Sequence, residues 1–175
     1  MPANAFISYD HDDQQQVAGF KLLKNNPKHP LDFHDHSLKD AIRDRSGKPI
    51  KYPPSDARSK PVRDEIRRKF DRASKLVVLI GDNTYNSDWV EWEIDTFYEM
   101  KETVSGENTW KRIRGMTLKG SDQATIPSAL MNGRSTQWLA WDPEALDKWL
   151  DEGRRVRLAG ARIHITLPAG GRRCT

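Results

Sequence analysis

The sequence predicts an α/β fold in which helices wrap a central parallel sheet of about five strands. Three observations predict it. Strand-like and helix-like segments alternate four or five times along the 175 residues. Leu76-Val77-Val78-Leu79-Ile80 is apolar on both faces, as expected at the centre of a parallel sheet. The intervening segments carry helical stripes: at about 100° per residue, Val90, Ile94, Phe97 and Met100 fall on one side of a helix.

Taken in order, Ala5-Phe6-Ile7-Ser8-Tyr9 reads as a short buried strand followed by the polar turn Asp10-His11-Asp12-Asp13. A helix is expected from Asp13 to Lys24, with Val17, Phe20, Leu22 and Leu23 as its apolar positions, and Pro27 and Pro30 end it. Leu31 to His36 forms a second strand, with Leu31 and Phe33 on one side and His34 and His36 on the other. Residues 44–61 hold Gly47, Pro49, Pro53, Pro54 and Pro61 among charges and read as a long surface loop. Pro61 suits the first turn of a helix to Ser74, with Ile66 and Phe70 pointing inward.

After the central strand, Gly81-Asp82-Asn83 turns the chain into a helix from Asp88 to Glu102, capped by Asn86 or Ser87. Ile113 to Leu118 is a weaker fourth strand and Gln137 to Trp141 a fifth. Pro143 opens a last helix through Leu146, Trp149 and Leu150. Residues 153–175 read equally as an added edge strand or a disordered basic tail. The chain has no internal repeat.

Composition narrows the function. Hydrophobic residues make up 36% and charged residues 31%, so one domain with a modest core and a heavily charged surface is expected. No apolar run approaches the roughly 20 residues of a membrane span, and Met-Pro-Ala-Asn-Ala lacks signal-peptide architecture. Cys174 is the only cysteine, which rules out disulfides within the chain and cysteine-rich metal sites and fits a cytoplasmic protein. The net charge of +4 resides in the tail: six arginines and no acids follow Glu152, leaving residues 1–152 with 23 basic and 25 acidic side chains. That distribution suits weak contact with polyanions and gives no motif for specific nucleic-acid binding.

Glu93 is the leading functional candidate. Glu91, Asp95, Glu99 and Glu102 share the solvated side of their helix, whereas Glu93 lies in the apolar stripe between Val90 and Phe97. A carboxylate there loses hydration and needs either a partner or a use. From periodicity alone, the structural and catalytic readings weigh equally. Ligands bind open parallel sheets at the carboxyl ends of the strands. There this chain gathers Ser8, Tyr9 and Asp10, then His34, Asp35, His36 and Ser37, then Asp82, Asn83 and Thr84. The loop after the third strand also delivers Ser87, Trp89 and Glu93.

Simpler roles stand beside these. Asp82 and Asn83 are turn formers, Ser87 is a helix cap, and Trp89 and Trp92 suit packing better than stacking on a ligand. His11, His29, His34 and His36 lie near Asp10 and Asp35, yet no third ligand is set by spacing, and no metal is expected. Dinucleotide, Walker and nucleophile-elbow loops are missing.

The same residues carry a family resemblance. Phe6-Ile7-Ser8-Tyr9 followed by acids is similar to the first strand of TIR domains. Ala73 to Gly81, Thr84 and Ser87-x-Trp89-Val90-x-x-Glu93-Ile94 resemble their third strand and following helix. Asp35-His36-Ser37-Leu38 and Trp138 to Trp149 resemble the prokaryotic TIR-like subgroup that includes the signalling proteins of Thoeris antiphage defence. The resemblance covers residues 4–150, and the Ser-x-Trp-Val-x-x-Glu-Ile piece is its most specific part. It implies a flavodoxin-like, three-layer α/β/α TIR-like domain over residues 1–152, with 153–175 as a basic tail.

The resemblance further implies an enzyme that cleaves NAD at the nicotinamide–ribose bond, with Glu93 catalytic. The ADP-ribose-derived product, expected to be cyclic, would signal to a separate effector protein. By the same resemblance Phe6, Ser8 and Tyr9 line the pocket, together with Asp35, His36, Asn83 and Trp89. NAD is expected as substrate with no other cofactor, and a homo-oligomer is expected. The Pro-rich segment 43–61 departs from the family pattern, as does the tail. A non-catalytic TIR-like adaptor ranks second. A phosphoacceptor receiver using Asp12, Asp13 and Asp82 ranks third, because it lacks the lysine expected after a late strand.

Overall fold

The computed structural model describes residues 2–105, 112–131 and 138–160. Its strands are β1 (Ala3–Ser8), β2 (Phe33–Asp35), β3 (Lys75–Ile80), β4 (Ile113–Thr117) and β5 (Trp138–Leu139). The helices are α1 (Gln14–Lys24), α2 (Lys60–Arg72), α3 (Asp88–Ser105), α4 (Ser128–Met131) and α5 (Pro143–Gly160). All five strands are parallel, in the order β2-β1-β3-β4-β5. Ala5 pairs with both Asp35 and Lys75, and Ile80 pairs with Thr117. This is the flavodoxin-like order, in which the chain goes from β1 out to the edge and returns to the other side of β1.

Alternation along β1 builds the layers. Ala3, Ala5 and Ile7 pack with Val17 and Phe20 of α1 and with Leu146, Trp149 and Leu150 of α5. Phe6 packs on the opposite face with Val62, Ile66 and Phe70 of α2 and with Val90, Ile94 and Phe97 of α3. Helices on both faces make three layers, and β3, buried along its whole length, is the centre the apolar run predicted. The rings of Phe6, Phe70 and Phe97 form an edge-to-face chain, with centroids 4.8 and 5.2 Å apart, that seats α2 and α3 on the sheet.

Several expectations shift. The first helix begins one residue late, because Asp10 accepts from Asp12 N–H at 2.9 Å and caps a separate 3-10 turn at His11–Asp13. Leu22 is 68% exposed, since it falls off the stripe set by Val17 and Phe20. Glu91 does not simply face solvent. Its carboxylate accepts from Ser128 N–H at 2.6 Å and Ala129 N–H at 2.8 Å, anchoring the start of α4. The last helix runs to Gly160, past the expected boundary at residue 152, and 161–175 lie outside the described residues. Among the described residues, no helix is long and apolar enough to cross a membrane.

Candidate active site

Strand order reverses between β1 and β3, and the strand ends and loops gathered there form a cleft of about 320 Å³. Phe6, Tyr9, Asp10 and His11 line it from β1 and its turn, with Ser87, Trp89 and Glu93 opposite from α3 and its approach. Ser87 is extended (φ −88°, ψ 105°), and its carbonyl accepts from Glu91 N–H at 3.1 Å, so its backbone starts α3. Its hydroxyl makes no hydrogen bond among the described residues.

Glu93 is 8% exposed at the inner end of the cleft. Ser8, facing the α3 side of the sheet, donates its hydroxyl to Glu93 Oε2 at 2.5 Å. No lysine, arginine or histidine pairs with Glu93 among the described residues. Burial pushes its carboxyl up to about 8, against the smaller opposing effect of the Ser8 hydrogen bond. An acid on an apolar helix stripe has thus been given a hydroxyl for orientation and no cation for neutralisation. That arrangement suits a carboxyl whose charge becomes useful when a positive group arrives.

The residues between β2 and α2 form the outer wall. The segment 42–50 folds as a small hairpin, with an Arg43–Pro49 bridge, Ile50 N–H donating to Ile42 at 2.9 Å, and Gly47 at φ 83°. Ile42, Ile50 and Leu38 face the cleft from it. Further on, the Tyr52 carbonyl accepts from Trp89 Nε1 at 3.1 Å and from Ser59 Oγ at 3.0 Å. Arg58 lies 3.5 Å over the Tyr52 ring while gripping Asp56 at 2.9 and 2.6 Å. Trp89 is therefore both a packing residue, edge-on to Trp92 at 5.6 Å, and the tie that holds this wall to α3.

Of the residues expected at the site, Phe6, Tyr9, Trp89 and Glu93 line the cleft, and Ser8 joins them through Glu93. Asp35, His36 and Asn83 do not line it. Asp35 instead accepts from Ser37 Oγ at 2.5 Å and Ser37 N–H at 2.9 Å, and pairs with Lys21 at 3.3 Å. Burial pushes its carboxyl up, but the Ser37 hydrogen bonds and the Lys21 charge outweigh that and leave it below the ordinary carboxylate value. His36 Nε2 lies 3.2 Å from Asn4 Oδ1, and Asn83 is exposed in the turn after β3.

Ser37 was gathered with the strand-end residues, but its role was not legible there. Past the end of β2 its hydroxyl accepts from Ile7 N–H at 2.9 Å, standing in for a strand partner beside the cleft. The outer wall carried one signal: Leu38, Ile42 and Ile50 are the only Leu, Ile or Val residues from 38 to 61.

Asp13 is buried against Gly81 and accepts from Thr84 Oγ1 at 2.9 Å. Burial raises its carboxyl above the ordinary value, opposed by the Thr84 bond and assisted by the charges of Asp10 and Asp82. Among the described residues, no three His, Cys, Asp or Glu side chains come together to hold a metal. A larger hollow of about 570 Å³ lies between α1 and the start of α5, lined by Phe20, Lys119, Trp141 and Glu144 among others. It contains no buried carboxyl, so the chemistry favours the smaller cleft.

Sheet order and site together define a flavodoxin-like domain with a buried acid in its strand-end cleft. Residues 6–113 match the family described as Thoeris protein ThsB, TIR-like domain, and the chain belongs to that family. The match runs from Phe6 in β1 to Ile113, the first residue of β4, and so includes Ser8, the outer wall and Glu93. The family suggests antiphage-defence signalling and is compatible with NAD cleavage at the family level. A comparison with curated proteins found no match.

Proposed function

We propose that this protein cleaves the nicotinamide–ribose bond of NAD, with Glu93 as the catalytic carboxyl, and makes an ADP-ribose-derived signal for antiphage defence. The observation that carries the reading is the hydrogen-bonded but charge-unpaired Glu93 at the inner end of the cleft. In the reaction the bond between the ribose anomeric carbon and the pyridinium nitrogen breaks. Both electrons go to nitrogen, so neutral nicotinamide leaves and the ribose becomes oxocarbenium-like. An ionised Glu93 beside that carbon stabilises the developing positive charge, and exclusion of water strengthens the effect.

The electrophile is then captured by water, giving ADP-ribose and a proton, or by a nucleophile within the same molecule, giving a cyclic isomer with release of a proton where that nucleophile is a hydroxyl. A cleft of about 320 Å³ is at the small end of the usual range for ligand sites, about 300–1,000 Å³. It suits the nicotinamide–ribose half of the dinucleotide, with the remainder crossing the mouth beside Ile42 and Ile50. Trp89 and Phe6 provide aromatic walls for the pyridinium.

The proposal includes a cytoplasmic protein that self-associates and passes its product to a separate effector. Pure protein incubated with NAD, alone and with lysate of phage-infected cells, tests it by mass spectrometry. Nicotinamide and an ADP-ribose-derived product in equal amounts are expected. NAD left intact under both conditions favours the adaptor reading.

A further inference from the structure

The use of Glu93 leaves open how a buried acid without a cation stays in the folded protein until substrate arrives. Its neighbours constrain the answer. Tyr9, Asp10 and His11 face the cleft from the β1 turn, Ser37 from beyond β2, and Ser87 from before α3. The α2 face contributes only Val62 and Ile66. Among the described residues, Asp10, His11 and Tyr9 are the other charged or titratable groups lining the cleft, and none of them pairs with Glu93. Ser8 can orient the carboxyl but cannot neutralise it. Leaving an anion there uncompensated is far costlier than keeping its proton.

We propose that Glu93 is uncharged in the ligand-free cleft and ionises when a cationic heterocycle seats against it, so the cleft selects cations and binding releases a proton. The inference deepens the reading of this cleft as an NAD site and rests on it for the choice of a pyridinium. The raised carboxyl, at about 8, sets the working range. Below that pH each cation bound displaces about one proton, so apparent affinity falls about tenfold per pH unit on acidification. Above it Glu93 is already ionised, and binding becomes insensitive to pH. A neutral ring of the same shape displaces no proton and gains nothing at higher pH.

The test uses the N-methylnicotinamide cation, which lacks the ribose bond and cannot be cleaved, beside neutral nicotinamide. Infrared difference spectra of the wild-type protein against Glu93→Gln isolate the Glu93 carboxyl from Asp10. In ligand-free protein at pH 7, the protonated C=O band of Glu93 should be present. The methylated cation should remove it and release about one proton by calorimetry in two buffers. Nicotinamide should leave the band unchanged. An ionised Glu93 in the ligand-free protein would overturn the inference, as would failure of the cation to bind or equal affinity for the two rings at pH 7. The two proposals fail separately. The expected band changes with NAD left intact sink only the cleavage reading; cleavage by a protein whose Glu93 is already ionised sinks only this one.

Discussion

Ser8 and Glu93, 85 residues apart in the chain, meet where the end of β1 touches α3, the Ser8 hydroxyl 2.5 Å from the Glu93 carboxyl. The contact links the sheet to the candidate catalytic group and is the only hydrogen bond to that carboxyl among the described residues. Ser8→Ala should let the side chain rotate without emptying the cleft. Nicotinamide release should fall about 10- to 100-fold, equivalent to about 1–3 kcal/mol for a hydrogen bond to a charged group. Thermal melting beside steady-state rates checks this. Unchanged turnover would show that Ser8 does not position the carboxyl.

Glu93 should also lower stability, with a definite pH dependence. Its carboxyl titrates at about 8 when folded and near 4.5 when unfolded. Between those values the unfolded chain gives up a proton that the folded chain keeps, so stability falls as pH rises from 4.5 to 8. Below the window there is no penalty. Glu93→Gln should therefore stabilise the protein at pH 8, by about 2–5 kcal/mol, with little effect at pH 4.5. Denaturant unfolding at the two pH values measures the difference. Equal effects at both would show that the carboxyl is not raised.

Ser37 tests the support beneath the cleft. Its hydroxyl satisfies the Ile7 amide and is itself held by Asp35. Ser37→Ala leaves a buried N–H without a partner and should cost about 1–3 kcal/mol in chemical denaturation. Ser37→Thr, which keeps the hydroxyl, should recover most of that. A neutral Ser37→Ala would remove the stapling role.

Gly81 is required by close approach. A Cβ there would come within 2.2 Å of the Asp13 carboxyl, which is held in place by Thr84. Gly81→Ala should destabilise the protein by about 1–3 kcal/mol, as overpacking does. Asp13→Ala in the same chain should relieve part of it. Additive effects in that double mutant would contradict the contact.

The parts legible in the sequence were those governed by periodicity. The run Leu76 to Ile80 announced the central strand, and the phase of Glu93 against Val90, Ile94 and Phe97 placed it on the sheet side of α3. Strand-end position put Ser8 and Tyr9 at the cleft, and the family resemblance added Phe6 and Trp89, which also line it. Asp35, His36 and Asn83 share that signature yet lie outside the cleft, because strand-end position does not determine which way a side chain turns. Asp35 turns to Ser37 and Lys21. The wall from Leu38 to Ile50 has no periodicity to read. Its shape comes from a hairpin and from carbonyl contacts such as that of Tyr52 with Trp89.

Nicotinamide release from NAD by purified wild-type protein and Glu93→Gln, assayed side by side under the condition that gives wild-type turnover, tests the central claim most directly. The account predicts release by the wild type and none by the variant, with both folded by circular dichroism. Equal release from a folded Glu93→Gln would contradict it.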